Sequence, residues 1–272
     1  MNSGDWRRIE APPFSNRRIA QTAEDLTRSY VRATNPDPAL LTMNFDHIYE
    51  NYIYPKYGIG LEESCNLGHD EQGKKILGKF DFETNTAYID ANLGPPNRDP
   101  RRIFTCWHEV GGHGVLQGEW LRREISRSHR FPCVVTTQEV IDGRTEHELE
   151  RQANLFAAHA AAPAWFLLRV IQETYQPMRP IRYLSPAKFS LIVNGATVFR
   201  DADDFDHLCR IVAYYISWRF GGLSLEALGY RLAQVGFVTD ARRAGFRLNR
   251  TAPTSRQSPR LSPVPAIAGS WS

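Results

Sequence analysis

Cysteine is scarce and scattered in this chain: Cys65, Cys106, Cys133 and Cys209 form neither a CxxC pair nor a dense framework. That excludes a small disulfide-stapled module and fits a reducing cytoplasm. Long apolar runs are missing as well. No stretch approaches the roughly eighteen uninterrupted apolar residues of a membrane span, and the opening MNSGDWRRIEAPPFSNRR has no apolar signal core. A soluble, cytoplasmic protein without a membrane partner is expected. Nor is there an excess of one charge. The formal net charge of +3 is too small to argue for a nucleic-acid or membrane-surface partner. The arginine pairs at 7–8, 17–18, 101–102, 122–123 and 242–243 are scattered, as on a solvated surface, rather than lined up to track phosphates. No internal repeat is visible. What remains is an ordinary globular composition, 42% hydrophobic and 23% charged over 272 residues, with enough chain to bury a core.

The first forty residues are rich in Arg, Pro, Asn and Ser, and read as a loosely attached arm in which QTAEDLTRSYVRA has the spacing of an amphipathic helix able to pack on the body. After Asn44, FDHIYENYIYPKY sets aromatics at helical spacing and meets Pro55 and Gly58, which predicts a short helix. KILGKFDFE and TAYIDANL flank the turn-forming Thr84 and Asn85 and predict a hairpin. Asp99 and Pro100 form a helix start, an N-cap followed by proline, ahead of RRIFTCWHEVGGHGVLQ, where Ile103, Phe104, Trp107, Val110 and Val115 follow one stripe. FPCVVTT at 131–137 is a strand candidate. ELERQANLFAAHAA repeats apolar residues every three or four positions up to Pro163, and AWFLLRVIQETY opens another helix. Residues 203–240 read as helical with a break at Gly221 and Gly222, and the Pro, Ser and Arg content beyond Leu248 predicts a disordered tail. The sum is an α+β chain.

The chemistry concentrates in HEVGGH, which holds His108, Glu109 and His113, and in Glu150 of ERQAN, 37 positions after His113. A catalytic zinc requires three protein ligands drawn from His and carboxylate, an open position for water, and a carboxylate that takes a proton from that water. His108, His113 and Glu150 supply the ligands and Glu109 the base. The usual HExxH places its histidines four apart on one helix face. Here they are five apart, so on a regular helix they diverge by roughly 140°. Gly111 and Gly112 allow the backbone to absorb the extra residue as a π-bulge. Each glycine costs a helix about 1 kcal/mol relative to Ala, a penalty with little reason in a purely structural helix. Asn154, one turn after Glu150, can hydrogen-bond a ligand histidine. His147 and His159 are both candidates for a donor to a developing oxyanion. Cys106 does not share a face with His108 and reads as a buried cysteine, not a nucleophile. His47, His69, His129 and His207 have no partner at ligand spacing.

The order FDFETNTAYIDANL, RRIFTCWHEVGGH, ELERQANLFAAHAAAP resembles the ImmA/IrrE family of metallopeptidases, and RFGGLSLEALGYRLAQVGFV looks like the small helical element that follows the catalytic helices there. The likeness runs over roughly residues 75 to 240. His108, Glu109 and His113 match the family's HExxH after one inserted residue, Glu150 its third ligand and Asn154 its nearby Asn. Dipeptidyl peptidase III is similar in the six-residue HExxGH motif alone. The resemblance implies a zincin-like α+β fold and cleavage of a transcriptional repressor or other regulatory protein. Composition and the resemblance together divide the chain into a flexible arm at 1–40, a peptidase core at 41–200, a helical subdomain at 201–247 and a tail at 248–272. A catalytically inactive regulatory module on the same scaffold is the alternative. A third reading has the basic RTAPTSRQSPR tail on nucleic acid. The apolar positions of LSLEALGYRLAQVG are committed to packing, so no direct nucleic-acid binding is expected.

Overall fold

The structure, a computed structural model, describes residues 11–70, 73–94, 99–128, 134–138, 147–176 and 178–244. The chain is a mixed α+β protein. Helix α1 (Asn16–Thr34) starts where the Ser15 hydroxyl accepts the Arg18 N–H and ends at the left-handed Asn35. Ile19, Ala23, Leu26, Thr27 and Tyr30 form its buried stripe, which lies against a later helix, α6. The amphipathic helix thus packs on the body, and residues 16–34 are not a loose arm. The polar residues that suggested a solvated segment sit on the outer face, and the inner face is core. Helices α2 (Phe45–Ile48) and α3 (Tyr54–Tyr57) are joined through a π-helical turn, Tyr49–Ile53, into one run that stops at left-handed Gly58. The run carries Phe45 edge-on against Trp107, with ring centroids 5.1 Å apart.

Strand β1 (Gly60–Cys65) pairs in parallel with β3 (Thr86–Asp90), and β2 (Ile76–Asp81) forms the expected antiparallel hairpin with β3, turning through left-handed Asn85. Helix α4 (Arg101–Cys106) begins where the Asp99 carboxylate accepts the Arg101 N–H at 2.8 Å. It runs into a π-helical segment, Trp107–Gln117, and on into α5 (Gly118–Ser128). Strand β4 (Val134–Gln138) adds to the free side of β2, giving the sheet order β1-β3-β2-β4. Residues 131–133 of the expected strand lie outside the described residues. Phe80, Ala87 and Ile89 are fully buried on the sheet that backs the π-helical segment.

Helix α6 (Glu148–Ala161) covers the opposite side of that segment, and Pro163 separates it from α7 (Ala164–Thr174). The run Glu148–Thr174 is the one stretch among the described residues long and apolar enough to cross a membrane, and more than half of it is buried inside the protein. Strand β5 (Ile181–Tyr183) is followed by a hairpin of β6 (Ala187–Val193) and β7 (Ala196–Ala202). The expected helical region resolves into α8 (Phe205–Tyr214), a 3-10 turn, Ser217–Phe220, and α9 (Leu225–Gln234), with Gly221 and Gly222 in between. Its last residues differ from that expectation: β8 (Val238–Asp240) pairs in parallel with β5 before the short α10 (Ala241–Ala244). The tail from Leu248 lies outside the described residues.

Candidate metal centre

The five-residue histidine spacing is accommodated by eleven residues of π-helix, Trp107–Gln117, a longer distortion than the single bulge expected. A backbone closing i→i+5 bonds brings residues five apart back to one face. The imidazoles of His108 and His113 accordingly meet, Nε2 to Nε2, at 3.0 Å.

The glycines do something other than merely permit the distortion. A Cβ on Gly112 would lie 2.6 Å from the Ala153 Cα, and one on Gly111 3.0 Å from Phe156 Cδ1, both on α6. On the other side, a Cβ on Gly114 would lie 2.8 Å from Ile59 Cδ1 and 3.0 Å from Phe80 Cε2. The segment is therefore pressed between sheet and helix at backbone distance. That closeness lets the short Glu150 side chain, one turn before Ala153, reach the imidazoles. Its Oε2 lies 3.1 Å from His108 Nε2 and its Oε1 3.4 Å from His113 Nε2.

All three side chains are buried or nearly so, and their ligand atoms lie within 4.8 Å of one another. Ligand bonds of about 2.0–2.1 Å in a tetrahedral site set neighbouring donor atoms roughly 3.3 Å apart. The two imidazole nitrogens, 3.0 Å apart, are close to that value, and Glu150 meets each ring through a different oxygen, Oε2 at 3.1 Å and Oε1 at 3.4 Å, so the donor set could hold a metal ion. Asn154 Oδ1 lies 2.8 Å from His108 Nδ1, and Gln117 Oε1 2.8 Å from His113 Nδ1. Both rings thus turn Nε2 toward Glu150. Burial pulls the His108 ring toward neutrality, but the contact with Glu150 outweighs it and raises the ring to about 9. Burial likewise pushes the Glu150 carboxyl up, and the two histidines more than reverse this, holding it well below the usual carboxylate range.

Glu109 is fully buried, and its charge helps to raise His108. It occupies space left by Gly78 of β2, where a Cβ would sit 2.8 Å from the Glu109 Cγ. His147 and His159 are not part of the cluster. His147 caps α6, its Nδ1 accepting the Leu149 N–H at 3.3 Å. His159 follows Glu150 by nine residues on α6, roughly 13–14 Å along the axis. Its Nδ1 is 3.3 Å from Arg231 Nη2, and burial and that guanidinium lower it to about 4. Cys106 is buried with its thiol pushed well above its ordinary value, which suits packing, not nucleophilic attack. His47 bonds the Tyr30 hydroxyl and His207 faces Asp203. His129 lies outside the described residues. Sequence reasoning missed Gln117, whose only signal was its position four after His113, where a buried face continues.

The chain matches no family model and no curated protein. What the centre does must be read from its own donors and their surroundings.

Proposed function

We propose that this chain is a zinc-dependent peptidase with a zincin-like arrangement of the ImmA/IrrE type. The observation that carries the proposal is the convergence of His108, His113 and Glu150 from two helices packed at glycine contacts. Two imidazoles and one carboxylate are the donor set of hydrolytic zinc sites, and the nitrogen-rich set favours zinc over manganese. Bound there, zinc supplies Lewis acidity toward water and toward a peptide carbonyl.

Asn154 and Gln117 hold the two rings with Nε2 inward. Glu109, adjacent to His108 in sequence, accepts the proton of the attacking water at its carboxylate and returns it to the leaving amine. The substrate is a protein, and the motif resemblance suggests a transcriptional repressor or another regulator. The described cysteines Cys65, Cys106 and Cys209 are free thiols, which suits a cytoplasmic setting.

A second reading is favoured by a specific observation: His108, Glu109 and His113 have no exposed surface. On that reading the chain is a regulatory module whose metal is structural. The variant Glu109→Gln separates the two. For a peptidase it keeps stoichiometric zinc and slows cleavage of a regulatory-protein substrate by about 10²–10⁴-fold. A variant that binds zinc and cleaves as fast as wild type removes Glu109 from the mechanism. A protein that cleaves nothing, yet binds its partner equally with Glu109 or Gln, is the regulatory module.

A further inference from the structure

We propose that Gln117 is a positioning residue of the metal centre, fixing which nitrogen of His113 faces the metal and tying that ring to the helix that carries Glu150. This deepens the metal-site reading above and rests on it. Gln117 is the last residue of the π-helical segment and is fully buried. Its Nε2 lies 2.8 Å from the Leu149 carbonyl. A carbonyl only accepts, so that side-chain atom is the amide nitrogen and the amide oxygen is the one turned to His113 Nδ1, 2.8 Å away. An amide oxygen cannot donate. His113 Nδ1 therefore carries a hydrogen, and the ring is held with Nε2 turned toward Glu150 and His108.

The same amide sets the distance between the helices. Leu149 immediately precedes Glu150, so a single side chain spans from the imidazole of one ligand to the backbone beside the next. Gln152 extends the arrangement: its Oε1 accepts from Gln117 Nε2 at 3.3 Å, and its own Nε2 donates to the Pro12 carbonyl at 2.7 Å and to Glu148 Oε1 at 3.1 Å. A relay of two buried amides thus connects the segment ahead of α1 to His113. The arrangement mirrors the one on His108. There the orienting amide, Asn154, comes from α6, whereas Gln117 sits on the ligand's own helix and reaches across. Orienting partners of this kind are worth about 10–100-fold in metal affinity.

Two readouts test the assignment. In metal-free protein carrying 15N-histidine, long-range 1H–15N spectra report the His113 tautomer, and titration of zinc against a chromophoric chelator reports affinity. Wild type is expected to show the Nδ1–H form. Gln117→Leu is expected to lose that preference and bind zinc about 10–100-fold more weakly. Gln117→Glu, which retains an acceptor for Nδ1–H but loses the donor to the Leu149 carbonyl, should keep the tautomer while binding zinc more weakly than wild type. A Gln117→Leu protein with the wild-type tautomer and affinity overturns the proposal. Should that variant not fold, Gln117→Glu decides alone, and loss of the Nδ1–H form in it is the overturning result. Wild type that takes up no zinc sinks the metal reading instead, while the tautomer measurement still reports whether Gln117 orients the ring.

Discussion

Burial alone would make His108 neutral and Glu150 hard to ionise, yet each holds the other in its charged form, and this couples the metal-free centre to pH. His108 rises from 6.5 to about 9, so its contribution to stability is fully present below about pH 6.5 and is lost as pH climbs through 9. Glu150 is depressed from 4.5, so its contribution is present above about pH 4.5 and is lost as pH falls through the lowered value. The metal-free protein should therefore melt highest between about pH 5 and 6.5 and progressively lower toward pH 9. Zinc needs these groups deprotonated, so its affinity rises over the same interval. Melting curves with and without zinc should separate increasingly from pH 6 to 9, and Glu150→Gln should flatten the metal-free slope. Curves that stay parallel would show that no proton is exchanged at this centre. At this scale the grouping of His108, His113 and Glu150 was legible because ligand chemistry restricts residue type, and the contact of Asn154 with His108 followed from its place one turn after Glu150. Gln117 was not legible, since an amide within a helix looks the same in sequence whether it meets solvent or an imidazole.

Elements were legible where a periodic pattern met a punctuating residue, as in the hairpin around Asn85 or the break at Gly221 and Gly222. The β6–β7 hairpin escaped notice although Asn194 and Gly195, both with positive φ, form the two-residue turn that best matches strand twist. Strand β1 went unread because GLEESC lacks the β-branched and aromatic residues that mark strands. Gly111 and Gly112 were recognised as abnormal in a helix, but their reason was visible only once α6 lay across them. The consequence is specific to Gly112. A Cβ there meets backbone atoms of Ala153, 2.6 Å from Cα and 3.1 Å from the carbonyl oxygen, and backbone cannot swing aside as a flexible side chain can. Gly112→Ala should push α6 outward, costing about 1–3 kcal/mol and drawing Glu150 off the imidazoles. Thermal melts and zinc titration on this one variant should show both losses together. Unchanged zinc affinity in a destabilised variant would mean that helix proximity does not set the ligand distances.

For the molecule as a whole, the centre sits midway through a stack: the sheet of β1–β4, the π-helical segment, α6, and then α1. The two ligand-bearing elements are thus held from both sides, and the outermost layer is supplied by residues whose composition had suggested an arm. The relay from Pro12 through Gln152 is a second link between that layer and the histidines. Under this architecture a mutation in α1, remote in sequence from every ligand, is felt at the metal. Leu26 is 4% exposed in the buried stripe of α1. Leu26→Ala removes apolar contacts in a packed layer, at about 2–5 kcal/mol, a large share of the roughly 5–15 kcal/mol that holds a typical domain. Because α1 backs α6, the expected result is a lower melting temperature accompanied by weaker zinc binding in the fraction that stays folded, with excess zinc restoring part of the lost stability by mass action. Calorimetry at several zinc concentrations measures both effects. If Leu26→Ala melted as wild type does, α1 would be peripheral after all, and the stack would end at α6.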